Sequence, residues 1–279
     1  MTTVTYREGT RPAPAPAPGP AGALISDTWH LTGRRLRALG RQPFVLGMGV
    51  IQPVIWLFLF GELFHKIIDI PGFAYQGSYL AYLIPGIVAM NAMSGNMWAG
   101  MSTIEEIDRG TLNRFLVTPA SRLAIMNASV AEQAVSTVVQ TLIIVLLGLA
   151  GGASYPGGVA GIVVLTAASV LVGVFWGALS NMTGMLSRSR EAIIGVYTLF
   201  MLPLMFLSSA FMQPSFLPGW MQAIASRNPL NWEVQIGRDA IAAGTDWSAI
   251  AVRAGGLLAL ALLAVAISVR TFRNYAKNV

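Results

Sequence analysis

Polar and apolar positions in this chain are sorted into long blocks rather than into short periods. Six apolar blocks stand out, over residues 44–64, 79–104, 134–153, 157–186, 192–212 and 247–269. A hydrocarbon core about 30 Å thick takes about 20 residues of helix to cross, and each block is long enough. The fourth is long enough to tilt or to run on past the membrane face. Only residues 154–156 separate the third block from the fourth, so those two form a tight hairpin. The pattern predicts an all-α integral membrane protein of six transmembrane helices.

The polar stretches between the blocks carry the topology. The stretch 105–122 holds six charged side chains, whereas the apolar blocks on either side of it hold none. Such an island must lie in water. With the N-terminus inside, fourteen Lys and Arg residues fall on the cytoplasmic side and four, Lys66, Arg227, Arg238 and Arg253, fall outside. That asymmetry places both termini and the island in the cytoplasm. Arg253, close to the end of the last block, is expected to snorkel. Residues 213–246, on the outer side, carry Phe216, Leu217, Trp220, Met221 and Ile224 at near-helical spacing, and a second short helix is expected over 232–241. Both are read as lying on or dipping into the outer leaflet.

Before the first block the chain divides in two. Residues 1–23 contain Arg7, Arg11 and a Pro-Ala run with no apolar core, which excludes a signal peptide and reads as a disordered tail. Residues 24–41 read as an amphipathic helix on the membrane surface, with a solvated linker helix as the competing reading. The membrane domain is then 24–279.

Composition supports this picture. The chain is 54% hydrophobic and 11% charged, with a net charge of +6. A soluble domain carries about 25% charged residues. The positive charge follows the membrane topology, so no nucleic-acid partner is implied. Arg outnumbers Lys sixteen to two, in keeping with a GC-rich, bacterial genome. The absence of cysteine excludes disulfides, thiolate metal sites and thiol catalysis.

Candidate chemistry is sparse. Neither Lys66 nor Lys277 follows a glycine, so no phosphate-cradling P-loop is present. The two histidines, His30 and His65, read as interfacial side chains rather than ligands, and no H-E-x-x-H occurs. No metal site, bound cofactor or catalytic constellation is expected, and the chain is not read as an enzyme. A proton-coupled transporter would place ionisable groups near the midplane. The nearest candidate, Glu62, sits at the end of the first block. The midplanes hold the neutral Gln52, Asn91, Asn96, Gln140 and Asn181, each read first as a bridge between helices. An apolar, uncharged interior is expected to suit hydrophobic or zwitterionic cargo.

Within the island, Glu105, Glu106 and Asp108 finish the cytoplasmic end of the second block. Gly110 stops that helix, Thr111 caps a new one, and Pro119 ends it. Leu112, Phe115 and Leu116 fall at i, i+3 and i+4 and share a face. The result is a two-turn amphipathic helix at the cytoplasmic mouth, with a solvated turn as the bland alternative. Gln52-Pro53 and Pro203 each mark a static kink or a hinge beside a path through the membrane.

These residues carry a resemblance. Glu105…Gly110-Thr111-Leu112…Leu116…Thr118-Pro119…Arg122 is similar to the coupling loop of type 2 ABC transporter permeases. Pro203-Leu204-Met205-Phe206-Leu207-Ser208-Ser209…Leu217-Pro218…Asn228-Pro229-Leu230…Arg238 resembles that family's carboxyl signature, and Gln52-Pro53 followed by Trp56 fits as well. The nearest likeness is to the daunorubicin- and doxorubicin-resistance branch of drug exporters. Asn113 departs from the pattern, since relatives often carry an acid there; Glu105, Glu106 or Asp108 would then supply the charge. The resemblance implies a permease that pairs with a second copy, most simply as a homodimer. It also implies two copies of a separate ATPase, which hold ATP and magnesium and drive a hydrophobic or amphiphilic drug, antibiotic or lipid-like substrate outward across the cytoplasmic membrane. Export of a polysaccharide or lipid-linked polymer is the alternative within transport; a membrane scaffold or membrane enzyme is the alternative outside it. Gly173-x-x-x-Gly177 is read as packing within one chain.

Overall fold

The apolar blocks fold as helices, though not each as a single one. The computed structural model describes residues 28–34, 37, 41, 43–66, 78–108, 122–211, 213, 216–243 and 246–275; for 43–46, 48, 106–107, 122–127 and 273–275 it describes the backbone alone. The principal helices are α1 (Pro43–Leu63), α2 (Tyr79–Met97), α3 (Ala99–Asp108), α4 (Arg122–Ala150), α5 (Gly158–Ser187), α6 (Arg190–Phe206), α7 (Gly219–Ala225), α8 (Pro229–Ile241) and α9 (Trp247–Tyr275). No strand occurs among the described residues. Three stretches are long and apolar enough to cross a membrane: Ala128–Ala150 in α4, Gly158–Ser187, which is α5, and Trp247–Phe272 in α9. Gly49–Leu63 of α1 is apolar but shorter.

Helix α5 is the hub. It packs against α2, α3, α4, α8 and α9. Between helices in lipid there is no hydrophobic driving force, so close fit and polar links must hold them. Small residues give the fit. A Cβ on Gly161 of α5 would run into the Ala240 carbonyl of α8, and one on Gly184 would lie 2.8 Å from the Gly100 carbonyl of α3. The two glycines of Gly173-x-x-x-Gly177 face Asn96 and Gln133 of this same chain, as expected of packing within one subunit. Around them the core divides into a cluster built on Leu57, Tyr82, Leu83, Ile84 and Ile144, and another built on Met93, Val172, Trp176, Leu230, Val234 and Leu257.

Five expectations need correction. The block 79–104 is not one helix; it breaks at Trp98 into α2 and α3. The polar link before the third block is shorter than expected, because α4 already starts at Arg122. The helix expected at 232–241 starts at Asn228-Pro229, with Asn228 as N-cap. That helix is also not laid on a membrane surface: Leu230, Asn231, Glu233, Val234, Ile236 and Arg238 are buried, and α8 packs on α5, α9 and α2. The interior is therefore not uncharged. Helix α7 does keep an exposed apolar face, with Trp220 and Ile224 outermost. Arg253, expected to snorkel, keeps a part-exposed side chain that donates to Asp239 at 2.6 Å.

Of the expected N-terminal surface helix, residues 28–34 are helical; the remainder of 24–41, apart from 37 and 41, and the tail 1–23 lie outside the described residues. Asp108 at the end of α3 stands 3.9 Å from Arg190 at the start of α6. The α4–α5 hairpin lies against the far end of α8, where Gly157 N donates to the Ile241 carbonyl at 3.0 Å.

Candidate functional site

A cavity of about 750 Å³ opens between α1, α2, the start of α3, α4 and α6. Its main wall is a polar stripe on α4. Ser129, Gln133, Ser136, Thr137 and Gln140 recur at spacings of three and four, so they share one helix face. Gln133 Nε2 donates to Ser129 Oγ and Gln140 Nε2 to Ser136 Oγ, both at 3.2 Å. The facing wall is α2. Asn91 Nδ2 donates to Gln140 Oε1 at 2.6 Å, and Asn96 Nδ2 to Thr137 Oγ1 at 2.8 Å and to the Ala92 carbonyl at 2.7 Å. Thr141 and Ser169, at 3.0 Å, extend the polar seam from α4 to α5.

These links engage the amides inside the bundle, where an unpaired polar group costs about 2 kcal/mol or more; Gln133 Oε1 is the exception, buried with no hydrogen-bond partner among the described residues. Gln52 and Gly49 of α1, Ser94 and Gly95 of α2 and Ser102 of α3 also reach the cavity. Its less polar side is Trp98, Tyr197 and Met201. Among the described residues that line it, half-buried Glu132 is the one carboxylate and there is no Lys, Arg or His.

Behind the cavity, α6, the segment after it and α8 meet in a polar junction. Asn228 works in two directions. Its Oδ1 accepts from Leu230 N at 2.9 Å and so caps α8, while its Nδ2 donates to the carbonyls of Leu204 and Leu207 at 2.7 and 3.1 Å and so closes the end of α6. Pro229 follows at the first helical position, where its missing N–H costs nothing. Asn231 Oδ1 accepts from Ser209 N and Ser209 Oγ at 2.8 and 2.6 Å. Arg238 donates to the carbonyls of Tyr82, Ser209 and Ala210, and its guanidinium lies 3.5 Å over the Tyr82 ring. Buried Glu233 shares this helix with Arg238. Enclosure pushes its carboxyl well above the ordinary value of 4.5, and the Arg238 charge pulls the other way.

The chain that builds this cavity and junction matches a family model described as ABC-2 type transporter over residues 26–241. The chain belongs to that family. It is 31% identical over 213 residues to the transport permease ycf38 of Cyanophora paradoxa, covering 76% of this chain and 72% of the relative. The ycf38 permease of Porphyra purpurea is 30% identical over 226 residues, 81% and 77% of the two chains. The daunorubicin resistance ABC transporter permease protein DrrB1 of Streptomyces coeruleorubidus is 28% identical over 234 residues, 83% and 78%.

In this ABC-2 type permease the expected site residues fall into separate groups. Gln52, Asn91 and Asn96 come together on the cavity, and Gln140 joins them. Pro53 is buried in α1 away from the lining, and Pro203 sits exposed in α6 outside it. Asn181 bridges α5 to α3 instead, accepting from Thr103 Oγ1 at 2.8 Å. Glu105 and Asp108 lie at the end of α3, where the exposed Asp108–Arg190 pair contributes little to stability. The Glu106 side chain and Gly110, Thr111, Leu112, Phe115, Leu116 and Pro119 lie outside the described residues. Sequence reasoning missed Ser129, Glu132, Gln133, Ser136 and Thr137. The three- and four-residue polar spacing was there to find them, but it straddles the boundary at residue 134 where the third block was taken to begin.

Proposed function

We propose that this chain is the membrane-spanning subunit of an ATP-driven exporter in a bacterial cytoplasmic membrane, moving an amphiphilic drug-like or lipid-like substrate outward. The observation that carries the proposal is the polar cavity of about 750 Å³ within an ABC-2 type permease. It is large enough for a drug-sized molecule, and its hydrogen-bonding walls have no structural need for so much open volume. A relative named for daunorubicin resistance supports a drug-like cargo.

In this reading six spans cross the membrane with both termini inside: α1, α2 with α3, α4, α5, α6 and α9. Two permease copies pair, and two copies of a separate ATPase supply the energy, holding ATP and magnesium. The stretch 109–121 docks on the ATPase through Leu112, Phe115 and Leu116, with Glu105 and Asp108 as secondary contacts. Gln52, Asn91 and Asn96 belong to the path, Pro53 and Pro203 shape its helices, and lipid surrounds the rest.

The test is transport in inside-out vesicles carrying the permease with the P-loop ATPase that co-purifies with it. ATP-dependent accumulation of substrate is expected in the parent. The double variant Glu105→Ala, Leu112→Asp is expected to reach the membrane at parental level yet lose most ATP-dependent transport. Undiminished transport in that variant would remove the docking role, and failure of any ATPase to associate would remove the exporter reading.

A further inference from the structure

Helix α8 holds two buried ionisable side chains that do not meet. Glu233 is fully enclosed, and neither of its carboxyl oxygens takes a hydrogen bond from a described residue. Arg238 lies five residues on, so the two Cα atoms stand about 9 Å apart and about 140° around the helix. The guanidinium is committed elsewhere. Its Nε donates to the Tyr82 carbonyl of α2 at 3.2 Å, and its Nη2 donates to the carbonyls of Ser209 and Ala210, in the segment that follows α6. That segment is pressed onto α2, where a Cβ on Gly86 would lie 2.6 Å from the Ala210 carbonyl oxygen. Arg238 therefore ties α8, α2 and the end of α6 together at one point.

Among the described residues, the other cations near α8 are engaged or distant. Helix α8 packs on α2, α5 and α9. Helix α5 has no ionisable side chain, α2 has only Tyr79 and Tyr82, and residues 207–211 have none. Helix α9 brings Arg253, which donates to Asp239 of α8 at 2.6 Å, while Arg270, Arg273 and Tyr275 belong to its opposite end. Arg227, just before α8, is exposed and donates to the Ala223 carbonyl at 3.3 Å. A lone carboxylate at residue 233 would have no donor, so enclosure keeps the acid neutral. Ionisation needs a counter-charge, and Arg238 supplies it only by leaving the carbonyls of Ser209 and Ala210. We infer that Glu233 and Arg238 form a proton-operated clasp. While Glu233 is protonated, Arg238 holds the segment after α6 against α2 and α8; when Glu233 ionises, Arg238 turns to the carboxylate and releases that segment.

The clasp's place at the outer end of a transport path rests on the exporter reading, but the clasp itself needs no ATPase. The experiment follows hydrogen–deuterium exchange by mass spectrometry on the full chain in phosphatidylcholine nanodiscs. It compares about pH 6 with about pH 9.5, on either side of the range of about 8–9 in which enclosed glutamates titrate. The reporter is 207–211, where the amides of Leu207, Ser208 and Ser209 are hydrogen-bonded. After division by the intrinsic exchange rate at each pH, its protection in the parent is expected to fall about tenfold at the higher pH. In Glu233→Gln and in Glu233→Met, which cannot ionise, protection is expected to stay high at both. Glu233→Asp is expected to keep the pH response. Arg238→Gln, which lacks the clasping cation, is expected to show low protection at both.

Equal protection at both pH values in the parent, or a fall of the same size in Glu233→Gln and Glu233→Met, overturns the inference. Such a failure alongside intact ATP-dependent transport removes the clasp alone. A pH-dependent release that needs Glu233, in a chain without any ATP-dependent transport, removes the exporter reading instead and leaves the clasp standing.

Discussion

At Glu233 a carboxyl group is enclosed within the bundle, and neither of its oxygens has a hydrogen-bond partner among the described residues. Enclosure favours its protonated form, so the folded chain holds a proton that the unfolded chain releases near 4.5. The sign follows: the group's contribution to stability is full below that pH and is lost as pH rises toward the higher folded value. Thermal unfolding in detergent is therefore expected to give a Tm that declines from about pH 5 upward. In Glu233→Gln, which imitates the neutral acid, that part of the slope is expected to vanish; an unchanged slope would place the titration elsewhere. Arg238 is the opposite case. Its charge is buried but engaged by three carbonyls and an aromatic face. Arg238→Ala leaves those carbonyls without their donor and is expected to cost about 3 kcal/mol, read as a loss of folded protein on size-exclusion after mild heating.

Among the elements, α8 is where reading from sequence reached least far. The apolar runs that make α4, α5 and α9 are visible because nothing but a helix satisfies twenty apolar residues in lipid. Helix α8 carries Asn231, Glu233, Arg238 and Asp239, and by composition it belongs at a surface. It is drawn inward because the end of α6 and the segment after it present carbonyls that need donors, which Asn228 and Arg238 provide, while Asn231 accepts from Ser209 and donates to the Ala225 carbonyl of α7. That need arises only once α6 stops, and hydropathy does not record it. The break at Trp98 was hidden for a similar reason: α2 and α3 are separated by no change in polarity. The seam that seats α3 on α5 is instead tertiary, with Gly100 N donating to Ser180 Oγ at 3.0 Å and Ser180 Oγ donating to the Met97 carbonyl. The double role of Asn228 has a measurable consequence. Asn228→Ala removes a cap from α8 and donors from two α6 carbonyls together. It is expected to cost about 2 kcal/mol, the upper end for a single cap. Asn228→Asp keeps the acceptor and is expected to recover part of that loss, measured by Tm.

At the scale of the whole molecule, the absence of cysteine makes the chain a ready background for labelling. Ser187, at the α5–α6 turn, and Ser154, in the α4–α5 hairpin, are both exposed and lie at opposite ends of α5. In the proposed topology a membrane-impermeant maleimide labels Ser187→Cys only in inside-out vesicles and Ser154→Cys only in intact spheroplasts. Labelling of both from one side would overturn the arrangement of α4, α5 and α6. The molecule's short element α3 carries a mechanical implication. Gly100 is pinned against Ser180 and Gly184 of α5. Asp108 lies eight residues beyond that pivot and Trp98 two residues before it, arms of about 12 Å and about 3 Å. As a rigid lever, α3 would deliver a push applied at its outer end to the cavity wall at about a quarter of the travel and four times the force.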